Sequence, residues 1–366
     1  MKIVCQKAVL SKAVGLAQNA VSGKSTLPIL GNLLFETTKE GIDILGTDLE
    51  IGLKCKAEVE VVKQGSITIP AKKLSDLIRA SADQEIELSV EGGTKVNFKC
   101  GKFNSSIMGL SKEDFPNLPE VKNEKVVEIK DNDLMEMIKK VVFSVSNDET
   151  RRILNGALLS VDGKEVKMVS TDGHRLSFIR KEIDGGKEKH SVILPTKALN
   201  EILKILDGGE EKVQLSFSEG HLFVHKGSTV LVTRLIEGQF PNYDQVIPKK
   251  HETSFVADTD ALHKATYRVS LLASDRSSSV RYSLKKDSLV ISSTTPDVGE
   301  AEEELEVGYS GPEMTIAYNP KFLIDAFKAL DAPKLEMLLS SPLNPGVIVG
   351  HEGRRDYQCV VMPMRV

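Results

Sequence analysis

Lys72-Lys73-Leu74-Ser75-Asp76-Leu77-Ile78-Arg79 is in effect written twice more in this chain of 366 residues. It returns as Lys197-Ala198-Leu199-Asn200-Glu201-Ile202-Leu203-Lys204 and as Lys321-Phe322-Leu323-Ile324-Asp325-Ala326-Phe327-Lys328. In each copy an acid follows the first base by four positions, and a second base follows three later. Apolar residues fill matching slots: Leu74, Leu77 and Ile78; Leu199, Ile202 and Leu203; Leu323, Ala326 and Phe327. On a helix the two bases and the acid share one face, and the apolar trio shares another. Each copy reads as a helix with an apolar side for its own core and a charged side for something outside.

The agreement extends beyond that helix, with a period of about 124 residues. Leu10, Leu134 and Leu262 match near the start of an earlier helix, with Lys12, Glu136 and Lys264 two positions on. Residues 27–53 match 151–178, which lays Gly46-Thr47-Asp48 over Ser170-Thr171-Asp172. The first two copies close with Phe115-Pro116-Asn117 and Phe240-Pro241-Asn242, and the third with Met362-Pro363-Met364-Arg365-Val366. A unit of this length can bury its own core, which a short solenoid repeat cannot. Three similar domains are expected, over 1–124, 125–246 and 247–366, joined by short polar linkers.

Periodicity predicts helices near 7–19, 72–82, 131–144, 197–207, 260–272 and 320–330. Strand signals at 95–99, 213–217, 222–225, 230–233 and 289–292 are bounded by Gly, Asp and Ser turns. Two helices per repeat among many strands indicate an α+β class.

Composition narrows the function. No apolar run is long enough for a membrane span, and the N-terminus lacks a signal-peptide pattern, so a cytoplasmic protein is expected. Cys5, Cys55, Cys100 and Cys359 are scattered without a paired motif, which suggests buried free thiols rather than zinc or disulfides. Trp is absent and aromatics are sparse, against stacking platforms for single strands. Net charge is −4, and the successive thirds carry 16 basic against 16 acidic, 18 against 19, and 14 against 17 residues. No third is basic, so binding to nucleic acid requires cations sorted onto one surface.

Several stretches resemble catalytic motifs. Ser22-Gly23-Lys24-Ser25-Thr26 ends like a phosphate-binding loop, but Gln18 stands where that motif needs Gly, and a helical pattern precedes it. A polar turn is the reading, with Lys24 available as a point charge. Thr171-Asp172-Gly173-His174-Arg175 gathers an acid and a histidine, yet the matching Thr47-Asp48-Leu49-Glu50 has none. No second histidine has ligand spacing to it, and no nucleophile elbow occurs. A surface-shaping turn with His174 hydrogen-bonded inside it is expected rather than an active site, and a hydrolase centred on Asp172 and His174 is the competing reading. Glu300, Glu302, Glu303, Glu304 and Glu306 form an acidic run that could meet Lys72, Lys73 and Lys102 of another copy head to tail. Ile107, Leu271 and Leu272 would supply burial that exposed ion pairs cannot.

Together, the threefold repeat, Thr26-Leu27-Pro28-Ile29-Leu30-Gly31-Asn32, Gly46-Thr47-Asp48-Leu49-Glu50, Thr171-Asp172-Gly173-His174-Arg175-Leu176, Phe240-Pro241-Asn242-Tyr243 and Val361-Met362-Pro363-Met364-Arg365 carry a resemblance. The chain resembles the bacterial DNA polymerase III beta subunits, the sliding-clamp family, from end to end. The resemblance implies a non-catalytic processivity factor without cofactors. Two copies would join head to tail into a closed ring of six similar domains, helices lining the hole and antiparallel sheets outside. The ring would encircle double-stranded DNA without reading sequence.

The resemblance also implies roles. Lys72, Arg79, Lys197, Lys204, Lys321 and Lys328 would face the duplex, joined by position by Lys24, Arg151 and Arg152. Asp76, Glu201 and Asp325 would temper the attraction, and Asp148 would weaken it nearby. Lys73, Lys102, Ile107, Leu271, Leu272, Glu300, Glu302 and Glu303 would form the dimer interface. A groove for a hydrophobic partner peptide carries over to Leu154, Thr171, Gly173, His174, Arg175, Leu176, Pro241, Val246, Phe322, Leu343, Val360, Met362, Pro363 and Met364. Its partners would be the DNA polymerase III alpha subunit, the clamp-loader delta subunit, and other polymerases and repair proteins that carry a clamp motif. Gln245 and Val366 depart from residues common in relatives, so peptide preference is expected to differ in detail.

Overall fold

Among the described residues the predicted helices form as α1 Lys7–Ala17, α2 Ala71–Ala80, α3 Asp131–Val141, α4 Thr196–Ile205, α5 Thr259–Ser270 and α6 Pro320–Ala329. The computed structural model describes residues 1–23, 27–120, 126–185, 189–273, 279–296, 298–352 and 355–365. Seven of the nine repeated apolar slots are buried, Leu74, Ile78, Leu199, Ile202, Leu323, Ala326 and Phe327, while Leu77 and Leu203 are half-buried. Each large one contributes about 1.5–3 kcal/mol by leaving water. Local chemistry sets the helix starts. Asn319 accepts from the Lys321 N–H ahead of Pro320 in α6, and Asp258 accepts from the Ala261 N–H at the head of α5.

Contact density divides the chain into two units, Met1–Leu134 with Lys197–Leu235, and Met135–Thr196 with Ile236–Val366. The cut runs through the middle repeat because its strands are shared between two sheets that cross the repeat junctions. In the first unit, an eight-stranded antiparallel sheet runs in the order Val126–Lys130, Lys212–Ser218, His221–Lys226, Thr229–Arg234, Ile51–Ala57, Ile42–Thr47, Asn32–Thr37, Ser66–Pro70. Thr229 to Thr233 pair with Cys55 to Ile51, so first and second repeats share one backbone ladder. A five-stranded sheet completes the unit, ending on the edge strand Phe103–Met108. Helices α1 and α2 pack side by side over a core that includes Ile3, Leu10, Phe35, Ile44 and Phe98.

The second unit repeats the scheme. Its eight strands are Lys189–Pro195, Gly156–Asp162, Glu165–Thr171, Arg175–Glu182, Tyr357–Val361, Gly346–Gly350, Lys334–Leu339 and Thr253–Asp258. Arg175 to Ile179 pair with Val361 to Tyr357, the same junction one repeat later. A four-stranded sheet ends on Gly299–Glu306, and α5 packs against α6. All four cysteines are buried and free. No helix among the described residues is long and apolar enough to cross a membrane.

Candidate functional site

The turn 171–175 is built by its own side chains. The Thr171 hydroxyl donates to the Arg175 carbonyl at 2.7 Å and accepts from the Gly173 N–H. Asp172 Oδ1 accepts from the N–H groups of His174 and Arg175 at 2.9 and 3.0 Å. The first repeat builds the same turn: Thr47 bonds the Ile51 carbonyl and the Leu49 N–H, and Asp48 accepts from Glu50 and Ile51. The third residue has positive φ in both, 89° at Gly173 and 78° at Leu49. Glycine adopts that conformation freely, whereas leucine is strained. A Cβ at residue 173 would also come within 3.0 Å of Arg151 Nη1. The Asp172 carboxylate is thus committed to amides and to Arg175 Nε at 3.0 Å, leaving it a structural rather than a catalytic part.

Arg175 is the hub of the second unit. Its Nη1 donates to Asp325 on α6 at 2.7 Å and its Nη2 to the Phe143 carbonyl at 2.5 Å. The guanidinium lies 4.7 Å from the Phe322 ring centroid and 5.4 Å from that of Phe143. His174 is hydrogen-bonded inside the turn as expected, through its backbone N–H, while the exposed ring stacks on Phe322 at 6.2 Å and 17°. Both Asp172 oxygens are already engaged, Oδ1 by two main-chain N–H groups and Oδ2 by Arg175 Nε.

The residues expected to form a groove divide by exposure into a buried set and an exposed set. Leu154, Leu176 and Val360 are buried, and Leu176 sits opposite Val360 in the ladder. Leu176 and Val360 belong to a core on which Ile153, Phe240, Tyr243 and Ile247 pack partly exposed. The Met362 N–H donates to the His174 carbonyl at 2.9 Å, and the Met364 N–H to the Ala317 carbonyl at 2.8 Å. Those bonds bring the closing segment beside the turn. Thr171, Phe322, Pro363 and Met364 are half-buried; Gly173, Pro241, Val246, Leu343 and Met362 are exposed. Val246 and Met362 line a groove of about 620 Å³ with Pro248, Lys249, Lys250 and Pro345. Val246, Leu343 and Met362 are the exposed large apolar side chains of this set.

The repeated cations Lys72, Arg79, Lys197, Lys204, Lys321 and Lys328 are all exposed. The acids between them are not alike. Asp76 is exposed and 4.0 Å from Arg79, Glu201 is buried and bonded to Lys204 at 2.8 Å, and Asp325 turns to Arg175. Lys197 also donates to Asp48 of the first-repeat turn, so both repeat junctions carry an ion contact from that turn to the next repeat's helix. Arg151 bonds Asp148 at 2.8 Å and the Asp172 carbonyl at 3.0 Å, while Arg152 is exposed. Lys24 lies outside the described residues.

Lys73 and Lys102 are exposed, and Ile107 is half-buried on the edge strand Phe103–Met108. Leu271 is exposed and Leu272 half-buried just beyond α5. Strand alternation separates the acids: Glu300 and Glu302 are exposed with Glu304 and Glu306, whereas Glu303 faces the other way and bonds Arg268 of α5 at 2.9 Å. That contact holds the Glu303 carboxyl below its usual range. Phe143, Lys249 and Lys250 carried no signal in the sequence: Phe143 has no patterned neighbour, and the lysines join the groove only through long-range packing.

Comparison with known proteins follows this geometry. Residues 1–119, 128–242 and 244–365 match, respectively, the N-terminal, central and C-terminal domains of the DNA polymerase III beta subunit. The chain is 32% identical over 368 residues to the beta sliding clamp of Escherichia coli (strain K12), covering 100% of both. It is likewise 32% identical over 369 residues to that of Proteus mirabilis, again covering 100% of both. Solved structures agree. The DNA polymerase III subunit beta of Pseudomonas aeruginosa superposes with a TM-score of 0.96 at 29% identity over 100% of both chains. The sliding clamp of Bacillus subtilis gives 0.96 at 27%, over 100% of this chain and 99% of the other.

Proposed function

This chain belongs to the DNA polymerase III beta-subunit family, the non-catalytic sliding clamps of DNA replication, and we propose that it acts as a head-to-tail ring of two copies in the cytoplasm. The observation that carries the ring is a missing partner. The strand after the Thr-Asp turn pairs with the closing strand of the next repeat at both internal junctions, Ile51–Ala57 with Thr229–Arg234 and Arg175–Glu182 with Tyr357–Val361. By the repeat, Gly299–Glu306 is the third such strand and Phe103–Met108 the first closing strand, and among the described residues each stands at a free sheet edge. Two copies supply each edge with its counterpart twice and close the ring. Ile107, Leu271 and Leu272 would be buried there, with Lys73 and Lys102 meeting Glu300 and Glu302.

In this reading the domains 1–124, 125–246 and 247–366 each present a helix to the enclosed duplex. Exposed Lys72, Arg79, Lys204, Lys321 and Lys328 contact phosphates, with Lys24, Arg151, Arg152 and the Asp48-paired Lys197 in supporting positions. Phosphate contacts carry no sequence information, which suits a protein that must slide. The groove around Arg175, Leu176, Val360 and Met362 takes a short apolar peptide from the polymerase, the loader or repair proteins, Met362 adapting its shape to each. The test is topological. Once loaded, the protein should remain on nicked circular DNA and be lost when the circle is cut to a linear form. Equal retention on both would exclude encirclement.

A further inference from the structure

The groove does not stop at the residues that match the peptide pocket. Val246 and Met362 share its lining with Pro248, Pro345, Lys249 and Lys250, and among the described residues no acidic side chain lines it. Both lysines are exposed, and neither forms an ion pair among the described residues. The wall is held by main-chain bonds: Ser340 Oγ donates to the Lys250 carbonyl at 3.2 Å, and the Glu252 N–H donates to the Leu339 carbonyl at 3.0 Å. A groove whose lining joins apolar side chains to two unpaired lysines has a definite complement.

We propose that the stretch leading to Lys249 and Lys250 receives an acidic flank of the same partner peptide whose apolar residues fill the pocket. The proposal rests on the peptide-groove reading and adds the chemistry of what lies beside the apolar residues. Sharing one groove with Val246, Met362 and two prolines favours a peptide over a DNA backbone, because a phosphate backbone has no apolar groups to bury there. Unpaired lysines at a rim add on-rate and selectivity more than raw affinity, and their effect is screened by salt. The groove therefore selects among apolar peptides by charge.

The experiment measures fluorescence anisotropy of labelled synthetic peptides on the full-length protein. A short peptide of alternating leucine and phenylalanine carries two aspartates at one end or the other, against controls with two asparagines. One aspartate peptide should bind about fivefold tighter than its control at low salt, and the advantage should vanish at about 0.5 M salt. Lys249→Glu with Lys250→Glu should abolish the advantage while leaving the dimer mass unchanged. Equal binding of aspartate and asparagine peptides would overturn the proposal, as would an advantage that survives the double reversal. Failure of the asparagine peptide to bind wild-type protein would sink the groove reading itself, a distinct result. If the double variant instead weakens binding of a labelled DNA duplex and spares every peptide, the lysines serve DNA and the proposal falls.

Discussion

Arg175 on the turn and Asp325 on α6, 150 residues apart in sequence, are joined by a 2.7 Å charge-assisted hydrogen bond. The same guanidinium holds Asp172 and the Phe143 carbonyl and lies over two aromatic rings, at only 8% exposure. A planar fork holds three acceptors in fixed directions while its faces stack on rings, which the compact charge of an ammonium does not do. This bond fixes the groove wall to the helix that also carries Lys321 and Lys328, so one element serves both the peptide and the DNA face of the proposed ring.

Asp325→Ala should therefore cost about 1–3 kcal/mol of stability by leaving a nearly buried cation short of a partner. It should also weaken an apolar groove peptide several-fold, with the dimer mass intact. Thermal denaturation and peptide anisotropy read the two effects. A stability loss with unchanged peptide affinity would show that the Arg175 linkage does not shape the groove.

Ile107→Asp combined with Leu272→Asp places carboxylates where the proposed interface buries apolar surface. Light scattering should then give a mass near the 40.1 kDa of one chain, where the unaltered protein gives about twice that. An unchanged dimer would move the interface elsewhere.

The two homologous turns make an internal control. Gly173→Ala forces a Cβ into positive φ and against Arg151, and should destabilise by about 1 kcal/mol or more. Leu49→Gly relieves the same strain and should cost little or even stabilise. Paired chemical denaturations decide the comparison, and equal losses would refute the strain argument.

Burial pushes the Cys5 and Cys55 thiols up to about 11 and raises Cys359 as well. At pH 8 the folded protein should resist iodoacetamide at these sites and react at all of them once unfolded. Rapid native labelling, read by mass spectrometry, would contradict the buried placement.

His263 has its pKa lowered by burial and by Lys328 and Lys264, despite an opposing pull from Asp260, and its Nε2 is buried without a partner. Folding thus favours the neutral ring, while the unfolded chain takes up its proton near the ordinary value of 6.5. Stability should be level above that pH and fall as the pH drops through it toward the lowered folded value. His251, also lowered by burial, adds in the same direction. Urea midpoints at pH 7.5 and at about 5.5 should differ less in His263→Gln than in the unaltered protein.

The legible part of this molecule is periodic. Leu74, Leu199 and Leu323 announce their burial by spacing alone, and the six cations beside them announce exposure, because helix geometry maps sequence interval onto face. The acids at the matching positions share the interval but not the fate. Asp76 meets water, Glu201 is buried, and Asp325 meets Arg175, since their partners come from other elements. Glu303 shows the same limit: a run of acids looks uniform until strand alternation turns one of them toward Arg268.

By itself the amino-acid order determined three related α+β units, six amphipathic helices and a family resemblance, because local periodicity and repetition survive without contacts. Only the tertiary structure decided which ladders cross the repeat junctions, that Phe103–Met108 and Gly299–Glu306 are both edge strands, and that Arg175 gathers Asp172, Asp325 and Phe143 into one wall. Those depend on backbone pairing and side-chain reach between segments far apart in the chain, and no local interval encodes a distance in space.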